Sequence, residues 1–353
     1  LLLQLYILRQ LLVSVGFAGA GIGLIVLPTI AIQAMNKLGA VSFELVLQYL
    51  PIVVAGVVPY LLPMAFLLGV VATYGRLSAD REVVAIQMAG VHPARLLIPG
   101  LLVAVPLVLG TDRLVSQISP ELRYRQRQYL RDAGIQQFIG SMSGSNVIQW
   151  PGGLLVSEEN FDNVRRKVQL DIEDQGGSAV HLAADEALID VEGDLLRIRL
   201  KNARVETEGA GGSNASPTYL LDLREIFPRE VKDRSAPKYR SNTLLKDELE
   251  APDLEPQRRS NLLFEIHSRH ALACIYLVFL LLGIPTGIAL RSSTQLAAFT
   301  GAVGYAFLYY VLAMRLGKVL AATGAVPSVF AAWATNALFA LAGLVFFARS
   351  LLR

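Results

Sequence analysis

ALACIYLVFLLLGIPTGIAL, residues 271–290, runs for twenty positions without a charged side chain. A helix needs about 20 apolar residues to cross the hydrocarbon core of a bilayer, so this stretch alone is long enough. Outward from it lie five more apolar runs: Gln10 to Asn36, Leu45 to Gly75, Leu96 to Thr111, Ser292 to Met314 and Val319 to Ser350. Leu96 to Thr111, set between Arg95 and Asp112, is the shortest of them. A single run of this kind fits the buried helix of a large soluble protein, but six in one chain define a polytopic membrane protein. Backbone polar groups in lipid must be satisfied within the segment, so the runs are expected to be helices. Prolines at 28, 51, 59, 63, 106, 285 and 327 are expected to kink or bound them. Gly19 and Gly23, like Gly283 and Gly287, have the spacing that lets helices approach closely, and we read both pairs as packing features.

The apolar excess is uneven. The 353 residues are 53% hydrophobic and 17% charged, against about 25% charged in a soluble domain, while the middle of the chain reads like an ordinary soluble domain. A net charge of +3, with no basic face carrying interleaved aromatics, excludes nucleic acid as a partner. Cys274 is the sole cysteine, so neither an intrachain disulfide nor a cysteine-based metal site can form. The chain opens on Leu1 rather than Met, which reads as a trimmed start, and the first apolar run is long enough to span a bilayer rather than serve as a signal sequence.

Orientation follows from Lys and Arg in the short loops. One side holds Arg9, Arg76, Arg81, Arg95, Arg291, Arg349 and Arg353, the other Lys37, Arg315 and Lys318. The richer side is expected to be cytoplasmic with both termini, which puts the long segment from Asp112 to His270 in the periplasm.

Residues from about 135 to 228 alternate in the manner of half-buried strands. Val168, Leu170 and Ile172 alternate with Gln169, Asp171 and Glu173, and Leu196, Ile198 and Leu200 with Arg197, Arg199 and Lys201. Turn signals such as Pro151-Gly152-Gly153 and Glu192-Gly193-Asp194 separate the runs, which predicts a sandwich or jelly roll. The polar stretch from Pro228 to Ser260 reads as an exposed return to the membrane. The expected fold is therefore an α+β membrane protein: six transmembrane helices with a periplasmic β-jelly roll between helices three and four. Its parts are residues 1–118, 119–265 and 266–353.

Between the second and third runs the chain reads GRLSADREVVAIQMAG, residues 75–90, then VHPARLLIPG. As one helix over about 76–90 it places Leu77, Val84, Met88 and Val91 on one face and Ser78, Arg81 and Glu82 on another, with Pro93 ending the pattern. Two readings fit: a connector resting on the membrane surface, or a docking helix that offers Asp80 and Glu82 to a cytoplasmic partner.

This segment resembles the coupling helix of the lipopolysaccharide export permeases LptF and LptG, in which a glutamate follows a GRL-type turn and an Ala-Gly pair closes the helix. Here those positions are Glu82 and Ala89-Gly90. YILRQLL (residues 6–12), EIHSRHALA (265–273), LLGIPTGIALR (281–291), YAFLYYVL (305–312) and VPSVFAAWATNALFALAG (326–343) resemble further family segments, in order along the chain. After Arg291 the sequence departs from the family's Gly/Arg-rich turn with Ser292-Ser293-Thr294-Gln295, and the GRLSADRE wording is closer to LptF than to LptG. The resemblance implies a half-transporter in the bacterial inner membrane. Its partners are the paralogous permease, a dimer of the ATPase LptB, the single-span protein LptC and the periplasmic Lpt bridge, and its cargo is lipopolysaccharide. It implies an ATPase-docking site at Arg76, Asp80, Arg81, Glu82, Met88 and Gly90. No cofactor is expected in this chain, with ATP and magnesium on the ATPase.

The chemistry agrees. Moving one roughly twelve-carbon acyl chain into water opposes transport by on the order of 10 kcal/mol, so a multi-acyl lipid needs an energy source and a covered apolar route. Val168, Leu170, Ile172, Leu196, Ile198 and Leu200 are the candidate lining of that route. No phosphate-binding loop exists, since Gly317-Lys318-Val319 lacks the earlier glycine and the hydroxyl residue, so ATP must be split by a partner. Lys37, Arg113, Arg123, Arg315 and Lys318 are candidates for lipid phosphates, or else interfacial residues that snorkel. The histidines His92, His181, His267 and His270 form no HExxH pair, and no GxSxG elbow occurs; His267 and His270 beside Glu265 could in principle ligate a metal but read as interfacial polar residues. A membrane-embedded hydrolase and a lipoprotein-releasing permease stay as alternatives, the first short of polar residues in its spans and the second at odds with six of them.

Overall fold

The computed structural model describes residues 2–38, 43–142, 146–150, 153–161, 164–173, 179–192, 195–205, 218–222, 236–289, 295–322 and 326–351. Six helices in it are long and apolar enough to cross a membrane: Leu2–Ala34, Tyr49–Ala79, Ala94–Tyr129, Pro256–Ala289, Phe299–Ala321 and Ser328–Arg349. The elements before the insert are α1 (Leu2–Leu38), α2 (Phe43–Ala79), α3 (Glu82–Met88), α4 (Leu97–Arg113) and α5 (Ser119–Met142). Seven strands follow, β1 (Val147–Trp150), β2 (Gly153–Phe161), β3 (Val164–Glu173), β4 (Ala179–Glu192), β5 (Leu195–Lys201), β6 (Arg204–Val205) and β7 (Thr218–Asp222). The chain then returns through α6 (Asn242–Leu249), α7 (Pro256–Ala273), α8 (Ile275–Ala289), α9 (Gln295–Ala322) and α10 (Ser328–Leu351). It divides into two compact units, one of residues 1–31, 50–123 and 234–353 and one of residues 32–49 and 124–233.

In the first unit α8 is the central helix, packed by α4 and α10. It is apolar all round, the composition of a helix without a solvent face, and Ile275, Tyr276, Phe279 and Ile284 are fully buried. Several polar atoms inside this bundle are paired. The Thr111 and Tyr276 hydroxyls lie 2.8 Å apart, and Asn336 donates to the Ala271 carbonyl at 2.7 Å while accepting from the Tyr309 hydroxyl. In an apolar medium such pairing avoids a penalty of several kcal/mol per group. The helices run through Pro28, Pro51, Pro59, Pro63, Pro106 and Pro285, and Pro327 stands just before α10.

Three boundaries differ from the sequence expectation. The third span does not stop at Thr111: a π-turn at Leu114–Ile118 joins α4 to α5, and the helix runs on to Met142. Charges end an apolar run without ending a helix. For the same reason Arg315 and Lys318 do not sit in a loop between helices five and six but inside α9, which extends to Ala322. The residues from 135 to 142, expected to begin the strands, belong to α5.

In the second unit the strands form one antiparallel sheet in the order β1-β2-β3-β4-β5-β7, with β6 beside β4. It is a meander of sequence neighbours, and among the described residues it does not close, so the expected jelly-roll closure is not seen there. Leu155, Leu170 and Leu182 face one another across β2, β3 and β4, and Ile189 faces Ile198 across β4 and β5. With Val168, Leu196 and Leu200 they form a single buried cluster.

A row of polar side chains crosses this sheet. Lys167 and Asn202 have φ of 50° and 53°, values rare outside glycine, and Lys167 pairs with Glu158 while Asn202 donates to Asp185 at 3.0 Å. At this row the buried positions change phase. In β4 they step from Leu182 and Ala184 to Ala187 and Ile189, and after β5 from Leu200 to Ala203. Each strand inserts one residue at the same level, as a bulge does, and the shared insertion keeps the register on both sides. The Glu158 carboxylate holds the Lys167 ammonium charged to higher pH than usual.

Candidate functional site

The hinge after α2 is built by two left-handed residues. Arg81 has φ 59° and breaks the helix after Ala79, so α3 starts afresh at Glu82; Gly90 has φ 77° and turns the chain out of α3, where a Cβ would be strained. His92 then accepts from the Ala94 N–H at 3.2 Å and caps the short turn Pro93–Leu96 that opens α4.

Because Arg81 resets the helical phase, the faces are not those that one continuous helix predicts. Leu77, Val83 and Ile86 are buried with Leu96, whereas Val84 is 39% and Met88 85% exposed. Ser78, expected on the polar face, is buried and donates to the Ile288 carbonyl at 3.1 Å. Arg76, Asp80, Arg81 and Gly90 are exposed and Glu82 is half-buried, its carboxylate accepting from the Tyr6 hydroxyl at 3.0 Å. The hinge thus presents a carboxylate at its start, Val84 and Met88 along its outer side and Arg76 and Arg81 around it. This pattern fits a protein surface that combines an apolar spot with basic groups.

A groove of about 540 Å³ runs along α1 and α2, lined by Val13, Phe17, Ile25, Leu68, Arg76 and Phe299 among others. It is apolar apart from the Arg76 end. α1 leaves much of its length uncovered, with Phe17, Leu24 and Ile25 about three-quarters exposed.

At the opposite end of the bundle, Arg123 donates to the Tyr60 hydroxyl at 3.0 Å, and Arg113 and Arg315 are exposed. Lys37 lies in the last turn of α1 and Lys318 in α9, with side chains outside the described residues. Glu265 and His270, the possible metal ligands, turn to different partners. Glu265 pairs with Arg269 at 3.0 Å, and His270 Nδ1 lies 2.6 Å from Asp112. Asn242 donates to Ser116 in the π-turn at 3.0 Å and accepts from Arg269 at 2.8 Å. The return segment is therefore not simply exposed. Tyr239, Asn242 and Leu245 are buried, and Leu245 joins Leu262 and Ile266 in a small apolar cluster. Sequence reading missed this knot because Asp112 and Ser116 lie more than a hundred residues from the partners they meet.

In the sheet, the acyl-path candidates Val168, Leu170, Leu196, Ile198 and Leu200 are all buried, packed against one another. The backbone of Ile172 pairs with Gly153 and Val180, and its side chain is outside the described residues. Arg165 is buried beside them, with its guanidinium donating to Ser157 at 3.2 Å and burial lowering its pKa.

Six helices able to span a membrane, with an antiparallel sheet inserted between the third and the fourth, define a multi-pass α+β membrane protein. The chain belongs to the lipopolysaccharide export system permease LptF/LptG family, whose model matches residues 5–349. Among curated individual proteins no match was found.

Proposed function

We propose that this chain is one of two paired permease subunits of an ABC transporter that lifts lipopolysaccharide from the inner membrane and passes it toward the outer membrane. The hinge is the observation that carries this reading: Glu82, Val84 and Met88 stand outward on a segment anchored from beneath by Leu77, Val83 and Ile86. Such a segment transmits force, because a push on it moves the ends of α2 and α4 together. The basic residues Arg76, Arg81 and Arg95 at this end of the bundle support a cytoplasmic position, where an LptB-type ATPase dimer would dock on it. ATP and magnesium belong to that ATPase. The uncovered flank of α1 is where a paralogous permease packs. The sheet, on the periplasmic side, continues into the bridge formed with LptC and the other Lpt components. Lipid phosphates meet the cations at the outer end, with Arg123 held in place by Tyr60.

Glu82→Ala is expected to lower co-purification of the ATPase and lipid-stimulated ATP turnover about tenfold or more, as loss of a buried interfacial charge pair does. Both values unchanged would remove the hinge from the ATPase interface. A photocrosslinking residue at Ile198 is expected to yield lipid adducts in actively transporting membranes, since it belongs to an apolar cluster of the sheet on which an acyl chain can ride. Crosslinks confined to the protein, in a complex shown to transport, would reduce the sheet to scaffolding.

A further inference from the structure

The first turns of α1 are fastened to the hinge at both of its ends. The Tyr6 hydroxyl donates to Glu82 Oε1 at 3.0 Å, where the hinge begins, and Gln4 Nε2 donates to the Arg95 carbonyl at 3.1 Å, where it finishes. Between these two bonds Ile7 and Leu11 are fully buried in the cluster that holds Leu77, Val83, Ile86 and Leu96. One turn further on, Val15 lies so close to α2 that a Cβ on Gly69 would stand 2.8 Å from its backbone N and Cα. Between Val15 and Ile30 much of α1 is uncovered. Its base is therefore fixed to the hinge while its upper part is left for other contacts.

Within that base Tyr6 is placed for a particular task. A glutamate has three rotatable bonds, and an exposed one must give up that freedom when a partner binds it. A phenol donating to a carboxylate makes a charge-assisted bond that selects one rotamer in advance. The carboxylate accepts at either oxygen, so the Tyr6 bond to one leaves the other able to accept from a basic side chain. Tyr6 is 43% exposed, so its ring is not held there merely to fill the core.

We propose that Tyr6 is a positioning residue for ATPase docking, with its hydroxyl presetting the Glu82 carboxylate that the partner's basic side chain meets. This rests on the docking role of Glu82 proposed above. It also makes α1 a direct reader of the docked state, because the same hydrogen bond that orders Glu82 belongs to the helix whose middle stretch is uncovered.

The test uses the complete transporter in detergent, with the dissociation constant of the purified ATPase measured for four versions: unchanged, Tyr6→Phe, Glu82→Ala and the double variant. Tyr6→Phe keeps the ring and its packing, so the melting temperature stays put, while ATPase affinity falls about three- to tenfold, the range for one side chain no longer ordered in advance. The double variant binds no worse than Glu82→Ala alone, because the hydroxyl acts through the carboxylate. Unchanged affinity in Tyr6→Phe, a loss that adds in full to that of Glu82→Ala, or tighter binding that makes the hydroxyl a competitor of the partner would each overturn the proposal. Should Glu82→Ala itself bind the ATPase normally, the docking reading has failed, a result distinct from a failure of Tyr6 alone.

Discussion

Arg269→Ala is expected to lower the melting temperature of the detergent-solubilised protein by about 3–5 °C, the shift that a loss of a few kcal/mol produces in a chain of this size. Arg269 is 4% exposed and donates to four acceptors: the Glu265 carboxylate at 3.1 Å, the Arg240 and Pro237 carbonyls at 2.9 Å each and Asn242 Oδ1 at 2.8 Å. Removing it leaves a carboxylate, two carbonyls and an amide oxygen with one donor fewer each. Truncating one partner of a buried ion pair is destabilising by about 3–5 kcal/mol, and the partial exposure of Glu265 trims this to about 2–4 kcal/mol. Arg269→Lys recovers a minor part, because one ammonium cannot span acceptors that a planar fork reaches together. Cys274, the sole cysteine, follows α7 directly and is half-buried, so its rate of labelling by a thiol reagent reports the opening of this region. The rate is expected to rise in Arg269→Ala. A variant with unchanged melting temperature and unchanged labelling would mean that the return segment is held by the Leu245–Leu262–Ile266 cluster instead.

The knot around Arg269 also shows where sequence reading ends. EIHSRH looks like a polar approach to a helix but lies inside α7, and nothing in it reveals that Asn242, Ser116 and Asp112 meet this region in space. What was legible depends on local patterning. Uncharged apolar runs identified all six spans, one of them from a run shorter than a bilayer is thick, and alternation identified β3 and β5. What was not legible depends on single backbone angles. Arg81 at φ 59° shifts the helical phase, so the periodicity from Leu77 to Val91 put Val84 and Met88 on the same face as Leu77, whereas the fold buries Leu77 and turns the other two out. Lys167 and Asn202 shift the strand phase in the same way. Glu82 was located by its place after the GRL turn, but its bond to Tyr6 joins residues 76 positions apart and no pattern announces it.

Glycine spacing gives the sharpest case, and with it the second large effect. Gly19 and Gly23 share the four-residue spacing of Gly283 and Gly287, and the sequence treats the pairs alike. Their surroundings do not. A Cβ on Gly23 meets nothing within 4 Å, and one on Gly19 meets the Ala65 Cβ at an ordinary 3.8 Å. A Cβ on Gly287 would lie 2.9 Å from the Gly75 N and 2.9 Å from the Val71 carbonyl oxygen, and one on Gly283 2.8 Å from the Val70 side chain. Backbone atoms of α2 cannot move aside as a side-chain end can, so Gly287→Ala forces α8 and α2 apart at the level of the hinge. Overpacking of this kind destabilises by about 1–3 kcal/mol. It strikes one residue from Ile288, whose carbonyl accepts from Ser78, so the anchor beneath the hinge loosens as well. Gly287→Ala is therefore expected to lower the melting temperature and, more steeply, the coupling of ATP turnover to lipid export. Gly23→Ala is expected to leave the protein as stable or raise stability by up to about 1 kcal/mol, the helix preference of alanine over glycine. Thermal denaturation of the two variants side by side decides it. Equal tolerance at both positions would mean that α2 and α8 do not cross as closely as the Gly75–Gly287 contact requires, and the proposed docking hinge would lose its rigid footing on the bundle.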